Sequence, residues 1–286
     1  MQVTYEKEDI LRMIDSTELN ADATREDIEK LCRDAHKYGF SAVMINPVYV
    51  PLAVRVLTKL RSSVKVGTVV GFPSGSETTR IKILQAKQAV KAGAHDIDAV
   101  MPVYAVKQGK WNVLEDEVRR LTKICKGRTL KIILEVCYLT DDEIVKACEI
   151  CAKHRVRFVK TSTGLGRAKR EGTNGATKNV VELMRASVEK TLYGRMDRDQ
   201  YPTEIKAAGG ITDYMQAKMF AEAGARRLGT SSAVRIAEST IFDASEMDVA
   251  IEADIQRRDA EAGYSEHLQS GENQSVAADV QAADEY

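Results

Sequence analysis

The feature that most constrains this chain is a regular alternation, repeated eight times, between short apolar runs and longer amphipathic patterns. Short runs rich in β-branched residues are typical of buried strands, and apolar residues spaced by three or four are typical of helices. The predicted strands lie near residues 11–15, 41–46, 65–71, 96–101, 130–137, 156–161, 203–208 and 226–229. The predicted helices lie near residues 24–38, 48–61, 77–92, 113–125, 141–153, 176–188, 213–223 and 231–238.

This alternation predicts an α/β fold in which eight β-then-α units close into a single (β/α)8 TIM barrel. Local signals support the boundaries: Thr24 and Asp27 form a helix-capping pattern, and Gly39 stands where that helix would end. The main alternative is an open, doubly wound sheet. That fold normally has fewer strands and a glycine-rich fingerprint after its first strand. Here the sequence at the end of the first strand is MIDSTELN, which contains no glycine, so the barrel is favoured.

The end of the chain has a different composition from the rest. Residues 241–286 contain twelve acidic side chains and two basic ones. Residues 243–262 have a pattern that permits a helix, whereas residues 263–286 are small and polar and cannot bury a core of their own. We therefore predict a barrel domain over residues 1–240, followed by a C-terminal helix and a flexible acidic tail.

The overall composition argues against several classes of protein. Lys plus Arg and Asp plus Glu are equal, at 42 each, so no net charge points to nucleic acid or an anionic membrane. No apolar run approaches the roughly 20 residues of a membrane helix, and the N-terminus MQVTYEKEDI is unlike a secretory signal. Five scattered cysteines are typical of reduced thiols, so we predict a cytoplasmic protein.

The cysteines and histidines do not predict a metal site. Cys148 and Cys151 form a CxxC, but they lie one turn apart on one face of a predicted helix, where a packing role is favoured. The four histidines show no metal-ligand spacing. We therefore predict chemistry that uses no metal and no other cofactor.

Ionisable residues collect near the predicted carboxyl ends of the strands, where barrels of this kind place their chemistry. Asp15 ends the first strand, Asp98 lies in the fourth, Lys160 ends the sixth and Lys206 lies in the seventh. Neighbouring parallel strands are about 4.8 Å apart, so the two ammonium groups are predicted to interact. A second cation and partial burial lower the pKa of a lysine, and the neutral amine can form a Schiff base with a carbonyl. The carboxylates can shuttle protons, although a structural ion pair would explain either lysine alone.

Glycine and serine follow the seventh and eighth predicted strands, in the loops that usually bind phosphate in such barrels. Small residues let backbone N–H groups approach an anion, and a helix N-terminus favours negative charge. With the glycine after strand six, they predict a phosphate site formed by Gly164, Gly209, Gly210, Gly229, Ser231 and Ser232.

Five motifs occur in order along the chain: VGFPSG, DIDAV, VKTSTG, KAAGG and LGTSS. Over about residues 13–239 they resemble the 2-deoxyribose-5-phosphate aldolases, which are class I aldolases. The resemblance implies a carbon–carbon lyase that reversibly cleaves 2-deoxy-D-ribose 5-phosphate to acetaldehyde and D-glyceraldehyde 3-phosphate. It implies that Lys160 forms the Schiff base and that Lys206 is the second lysine. It also implies that Asp98 relays protons and that Asp15 matches an aspartate of the first motif.

Three departures from the family pattern leave the aldehyde pair open. Ser16 and Thr17 replace a common His-Thr pair, and the loops near 166–174 and 193–203 are long. A related Schiff-base aldolase with a different aldehyde pair is therefore one alternative. A catalytically silent barrel that binds sugar phosphates is another, although such a binder would not need two paired lysines. Barrels of this kind often dimerise, so a homodimer is one expected assembly.

The final residue, Tyr286, has two interpretations. The favoured one is that it ends a disordered, solubilising tail. The other is that a flexible arm brings the phenol to the mouth of the barrel, where it can act as a general acid toward an enamine. About 23 extended residues span tens of ångströms, so the distance permits this. Tyr286 is therefore a candidate proton donor.

Overall fold

Eight parallel strands close into a barrel in the computed structural model, which describes residues 5–167, 175–192 and 202–239. Each strand pairs with the next one along the chain, and the eighth pairs with the first. This confirms the predicted (β/α)8 barrel. The strands are β1 (Ile14–Glu18), β2 (Ala42–Ile45), β3 (Lys65–Val70), β4 (Asp96–Val100), β5 (Thr129–Ile133), β6 (Phe158–Lys160), β7 (Glu204–Ala208) and β8 (Ala225–Thr230).

Helices alternate with the strands. Within the described ranges they are α1 (Lys7–Met13), α2 (Arg25–Tyr38), α3 (Val50–Lys59), α4 (Thr79–Ala92), α5 (Val103–Lys107), α6 (Trp111–Ile124), α7 (Asp141–Lys153), α8 (Lys178–Leu192), α9 (Tyr214–Glu222) and α10 (Ala233–Glu238). None of these helices is long and apolar enough to cross a membrane.

The predicted capping of α2 is confirmed. The Thr24 hydroxyl accepts a hydrogen bond from the Asp27 N–H at 3.3 Å, and the Asp27 carboxylate accepts one from the Thr24 N–H at 2.8 Å. Such reciprocal bonds satisfy two N–H groups that a helix start leaves free, and a good cap contributes about 1 kcal/mol. At the other end, Gly39 takes a left-handed conformation with φ of 69° and ends the helix.

The predicted strand near 11–15 is partly wrong. Residues up to Met13 form α1, which buries Ile10, and β1 begins only at Ile14. A short apolar run does not by itself distinguish a strand from a buried helical turn. As a consequence, Asp15 is the second residue of β1 and lies inside the barrel rather than at the end of the strand.

The predicted strand near 130–137 also ends early, at Ile133. Glu135 takes a left-handed backbone conformation with φ of 54°, and a short 3-10 turn follows at Val136–Tyr138. A left-handed backbone cannot continue a strand, so the chain turns away here. The prediction also missed α5 before α6.

Side chains alternate along each strand, which produces one apolar layer and one layer of charged groups, both buried. Ile97 and Ala99 of β4 join the apolar core, whereas Asp96 and Asp98 of the same strand pair with charged groups of other strands inside the barrel. Cys148 and Cys151 are fully buried and unbridged in α7, which supports the packing interpretation.

The predicted C-terminal segment 241–286 lies outside the described residues. The division of the chain near residue 240 therefore stays a prediction.

Candidate active site

The two predicted lysines lie side by side at one end of the barrel. Lys160 is the last residue of β6, and it is the direct register partner of Lys206 in β7. Both donate to the same oxygen, Oδ2 of Asp98, with Nζ to Oδ2 distances of 3.2 Å and 2.9 Å respectively. Lys206 is fully buried and Lys160 is 4% exposed. Strands β4, β6 and β7 thus bring two amines and one carboxylate together inside the barrel.

Asp15 anchors the second lysine. Its Oδ2 accepts a short hydrogen bond from Nζ of Lys206, so that Lys206 is held between Asp15 and Asp98. Both carboxylates are completely buried. A buried charge needs a partner of opposite sign, and each of these groups has at least two. Lys206 is therefore fixed in position, while Lys160 has the single, longer contact to Asp98.

Two further cations complete this network. Lys131 of β5 donates to Oδ2 of Asp96 at 2.7 Å and to Oδ1 of Asp98 at 2.8 Å. Arg227 of β8 donates to Oδ2 of Asp96 at 2.5 Å. Arg227 also forms an ion pair with Asp15 at 3.1 Å that lacks the alignment of a hydrogen bond. The network thus joins side chains of β1, β4, β5, β6, β7 and β8 inside the barrel.

The protonation state of Lys160 follows from its surroundings. Burial and the neighbouring charge of Lys206 lower the pKa of Lys160 to about 8, although the attraction of Asp98 opposes the change. An amine with this pKa is substantially neutral just above neutral pH, whereas an ordinary lysine is not. The neutral amine is the form that attacks a carbonyl carbon.

Asp98 remains ionised despite its burial. Burial by itself raises the pKa of this carboxyl, but the ammonium groups of Lys131, Lys206 and Lys160 together hold the pKa well below its usual value. An ionised carboxylate can accept a proton from a neighbouring group and return it. Asp98 contacts both amines and is therefore placed to pass protons between them.

A cavity of about 610 Å³ opens above Lys160. Most of the predicted phosphate-site residues line it: Gly164, Gly209, Gly210, Gly229 and Ser231. Thr17, Asn20, Asn46, Phe72 and Thr163 also line it. A volume between about 300 and 1,000 Å³ is typical of sites for small molecules.

Two of these glycines are needed for different reasons. Gly210 has φ of 78°, a conformation that other residues rarely adopt, and a side chain there would point into open space. A Cβ atom at Gly229 would lie 3.0 Å from Cε of Lys206. Gly229 therefore makes room for the second lysine in addition to lining the cavity.

Glu135 holds the loop that follows Lys160. This carboxylate is 2% exposed and accepts hydrogen bonds from the Thr163 N–H at 3.1 and 3.3 Å. Gly166 packs directly against it, since a Cβ atom there would approach within 2.8 Å of its carboxyl group. Burial raises the pKa of Glu135, and the bonds from Thr163 oppose that rise. The contact fixes the wall of the cavity formed by Thr163 and Gly164.

Two predicted site residues are placed differently. Ser232 is not among the residues that line the cavity. It precedes α10, and its N–H donates to Oγ1 of Thr230 at 2.8 Å. Tyr286 lies outside the described residues.

Lys131 and Arg227 were not among the predicted site residues, because neither lies at the carboxyl end of a predicted strand. The sequence holds a usable signal for Lys131, which interrupts the apolar run of β5. Arg227 is recognised only from the register of β7 and β8, where it lies directly beside Lys206. A charged residue at an inward position of a buried strand needs a partner of opposite charge inside the barrel.

Comparison with known proteins supports the resemblance. The model of the DeoC/LacD family aldolases matches residues 10–236. The chain is 43% identical to the deoxyribose-phosphate aldolase of Thermococcus gammatolerans, over 80% of this chain and 96% of that protein. It is 42% identical to the one of Mannheimia succiniciproducens, over 80% of this chain and 94% of that protein.

A solved structure of an aldolase is also similar to this chain. The chain superposes on the tetrameric deoxyribose phosphate aldolase of Aeropyrum pernix with a TM-score of 0.71 and 30% identity. The match covers 82% of this chain and 92% of that one. The family match spans most of the chain and includes the barrel strands that carry the buried lysines. The chain therefore belongs to the DeoC/LacD family of aldolases.

Proposed function

We propose that this aldolase reversibly cleaves 2-deoxy-D-ribose 5-phosphate to acetaldehyde and D-glyceraldehyde 3-phosphate through a Schiff base on Lys160. One observation carries the proposal: a buried lysine with a pKa of about 8 lies beside a second lysine and a carboxylate at the base of a cavity. The names of the relatives support the substrate. No metal or other cofactor takes part in the proposed reaction.

The first step joins the substrate to the enzyme. The neutral Nζ of Lys160 attacks the C1 aldehyde of the open-chain sugar, and a carbinolamine forms. Its hydroxyl group takes up a proton and leaves as water, which produces the protonated Schiff base. Asp98 and Lys206 supply and receive these protons, since Lys206 is the ammonium group that shares Oδ2 of Asp98 with Lys160.

The second step breaks the bond between C2 and C3. A base removes the proton of the C3 hydroxyl, and the electron pair of the C2–C3 bond moves toward the positively charged Schiff base. Glyceraldehyde 3-phosphate leaves, and an enamine remains on Lys160. The enamine then gains a proton at C2, and water releases acetaldehyde and the free amine. One water is lost and one is consumed, so the cycle balances.

Asp15 serves as a positioning residue in this scheme. It binds Lys206 together with Asp98 and thereby fixes the position of the second ammonium group. Tyr286 remains a proposed donor of the proton that the enamine gains at C2. The proposal for Tyr286 rests on the chemistry of its phenol and on the length of the chain that carries it.

The phosphate is proposed to lie against the loops that follow β6, β7 and β8. Gly164, Gly209 and Gly210 have left-handed backbones, and such turns direct successive N–H groups toward an anion. Gly229 and Ser231 line the same end of the cavity. Ser232, which lies beside Ser231, remains a proposed phosphate ligand through its hydroxyl, since its N–H donates to Oγ1 of Thr230.

A trapping experiment tests the proposal. Acetaldehyde with cyanoborohydride should convert the Schiff base into a stable ethyl-lysine, and peptide mapping should find it on Lys160. Lys160→Ala should lose both this adduct and cleavage of deoxyribose 5-phosphate, while Lys65→Met, at an exposed position of β3, should keep both. Cleavage by Lys160→Ala near the wild-type rate would refute the assignment, and a wild type without any adduct would refute the mechanism.

One observation favours a second class of substrate, in which the hydroxyaldehyde that is cleaved off carries no phosphate. Among the described residues that line the cavity, Lys160 and Glu18 are the only charged ones. A cradle of backbone and hydroxyl groups beside a carboxylate also suits an uncharged hydroxyaldehyde. Comparing deoxyribose with deoxyribose 5-phosphate under identical conditions decides between the two. A large preference for the phosphate ester supports the first proposal, and near-equal kcat/KM supports the second.

Location and assembly are also proposals. Cysteines without disulfide bonds, all free within the structure, support a cytoplasmic location. A homodimer remains proposed alongside the tetramer known for the Aeropyrum pernix relative. Light scattering during size-exclusion chromatography distinguishes the two assemblies.

A further inference from the structure

We infer that Asp96, Lys131 and Arg227 form a charge-balancing layer inside the barrel that keeps Lys160 neutral. The inference rests on the proposed role of Lys160 as the nucleophile. The three residues come from β4, β5 and β8, and none of them lines the cavity. They therefore act on Lys160 through their charge and without touching the substrate, so they are positioning residues rather than catalytic ones.

The layer is joined directly to the carboxylates of the site. Lys131 reaches Asp98 at 2.8 Å and Asp15 at 3.4 Å, and it also binds Asp96 at 2.7 Å. Arg227 reaches Asp15 at 3.1 Å and Asp96 at 2.5 Å. Asp15 and Asp98, the carboxylates that bind the two catalytic lysines, thus each also face a cation of the layer.

The carboxylates and cations of the network are equal in number when Lys160 is neutral. The network contains three carboxylates, those of Asp15, Asp96 and Asp98. Three cations, Lys131, Lys206 and Arg227, balance them. A protonated Lys160 would add a fourth cation and leave a net charge of about +1 in a volume that excludes water. Burying an uncompensated charge is costly, so the neutral form of Lys160 is favoured.

The charged groups of the network are buried, so each one acts on its neighbours at nearly full strength. The side chains of Asp15, Asp98, Lys131 and Lys206 are 0% exposed, so solvent does not screen them. Arg227 is the most exposed member of the balanced set, at 13%. Burial and the carboxylates act in opposite directions on Lys131, and the carboxylates prevail: they raise the pKa of Lys131 above its usual value. Lys131 is therefore a fixed cation, and Lys160 is the amine that can lose its proton.

Other ionisable groups lie near the network and must be held constant in a test. Glu135 binds the Thr163 N–H, and Glu18 lines the cavity. His95 lies against Asp96, with Nδ1 to Oδ1 at 3.0 Å, and its side chain is 38% exposed. None of these residues is changed in the variants below, and the contact of His95 with Asp96 is kept in both variants that change Arg227 alone.

The inference predicts opposite shifts for opposite charges. Arg227→Met removes a cation, so the pH midpoint for trapping acetaldehyde on Lys160 should rise by about one unit. Asp96→Asn removes an anion, so the midpoint should fall by a similar amount. This is the size expected for a unit charge roughly 10 Å away at an effective dielectric constant near 20. The double variant restores the balance, and its midpoint should return to that of the wild type.

The experiment measures initial rates of ethyl-lysine formation on the peptide that contains Lys160, by mass spectrometry of digests taken between about pH 6 and pH 10. Excess cyanoborohydride is used, and the rates are normalised to a free-amine standard. Arg227→Lys keeps the charge and should keep the wild-type midpoint. Circular dichroism shows which variants are folded. If Arg227→Met alone does not fold, Asp96→Asn and the double variant still test the direction in which the pH midpoint shifts.

The outcomes separate this inference from the proposed function. A wild type that forms no adduct on Lys160 contradicts the proposed function. An intact adduct with midpoints that do not move, or that move in the same direction in both single variants, overturns the charge-balancing layer alone. A double variant that fails to return to the wild-type midpoint overturns it as well.

Discussion

Replacing Lys206 with methionine tests the electrostatic basis of the site most directly. Lys206→Met keeps a long, apolar side chain beside Gly229 and removes one charge. Lys160 then faces Asp98 without the ammonium group that shares Oδ2 with it, while Lys131 still binds Oδ1. We expect the amine of Lys160 to hold its proton more tightly, so that Schiff-base formation requires a higher pH.

The size of the shift follows from the geometry. The Nζ atoms of Lys160 and Lys206 bond the same oxygen at 3.2 and 2.9 Å, so they lie at most about 6 Å apart. A unit charge about 5 Å away, at an effective dielectric constant near 20, contributes about 3 kcal/mol, or about two pKa units. Burial is the larger cause of the lowered pKa and persists in the variant. We therefore expect the midpoint to rise from about 8 by roughly one to two units.

The assay is the pH dependence of acetaldehyde trapping on Lys160, followed by mass spectrometry. Lys206→Arg is the matched control, because it keeps the charge at the same position. The arginine variant should retain a midpoint near that of the wild type if it is folded. A midpoint for Lys206→Met that stays in place or moves to lower pH would show that the second lysine does not tune the first.

Three further predictions concern other parts of the chain. Asp98→Asn should still trap acetaldehyde, but turnover should fall by about 10²- to 10⁴-fold because the proton relay is lost; full turnover would remove Asp98 from the mechanism. Deleting 264–286 and changing Tyr286→Phe should lower turnover equally, with an unchanged melting temperature. Methyl-proton exchange of acetaldehyde as fast as in the wild type would leave the tail without a catalytic role. Lys82→Met breaks a fully buried pair with Glu117 (2.8 Å) and should cost about 3–5 kcal/mol in urea unfolding, most of it recovered by adding Glu117→Leu. A negligible loss would contradict this.

Glu135 shows how tertiary contacts decide a local structure. Its position in a run of apolar and β-branched residues predicts a continuing strand, yet its backbone is left-handed. Two bonds from the Thr163 N–H and the close packing of Gly166 hold it there. Both partners lie about 30 residues further along the chain, so no local pattern reports them.

The sequence by itself determined the number of βα units, the capped start of α2 and the placement of Lys160 at the end of β6. These features depend on neighbours within a few residues, and periodicity, capping residues and an apolar run reveal them. It also placed Lys206 beside Lys160, since consecutive strands of a parallel barrel are neighbours.

Only the tertiary structure decided which residues meet inside the barrel. The alternation of a strand separates two faces, but the strand must be located to within one residue before it tells which face points inward. An error of three residues at β1 was enough to misplace Asp15. The joining of Lys131 and Arg227 to the same carboxylates depends on the register of all eight strands around the closed barrel, a property of the whole sheet that no single stretch of sequence contains.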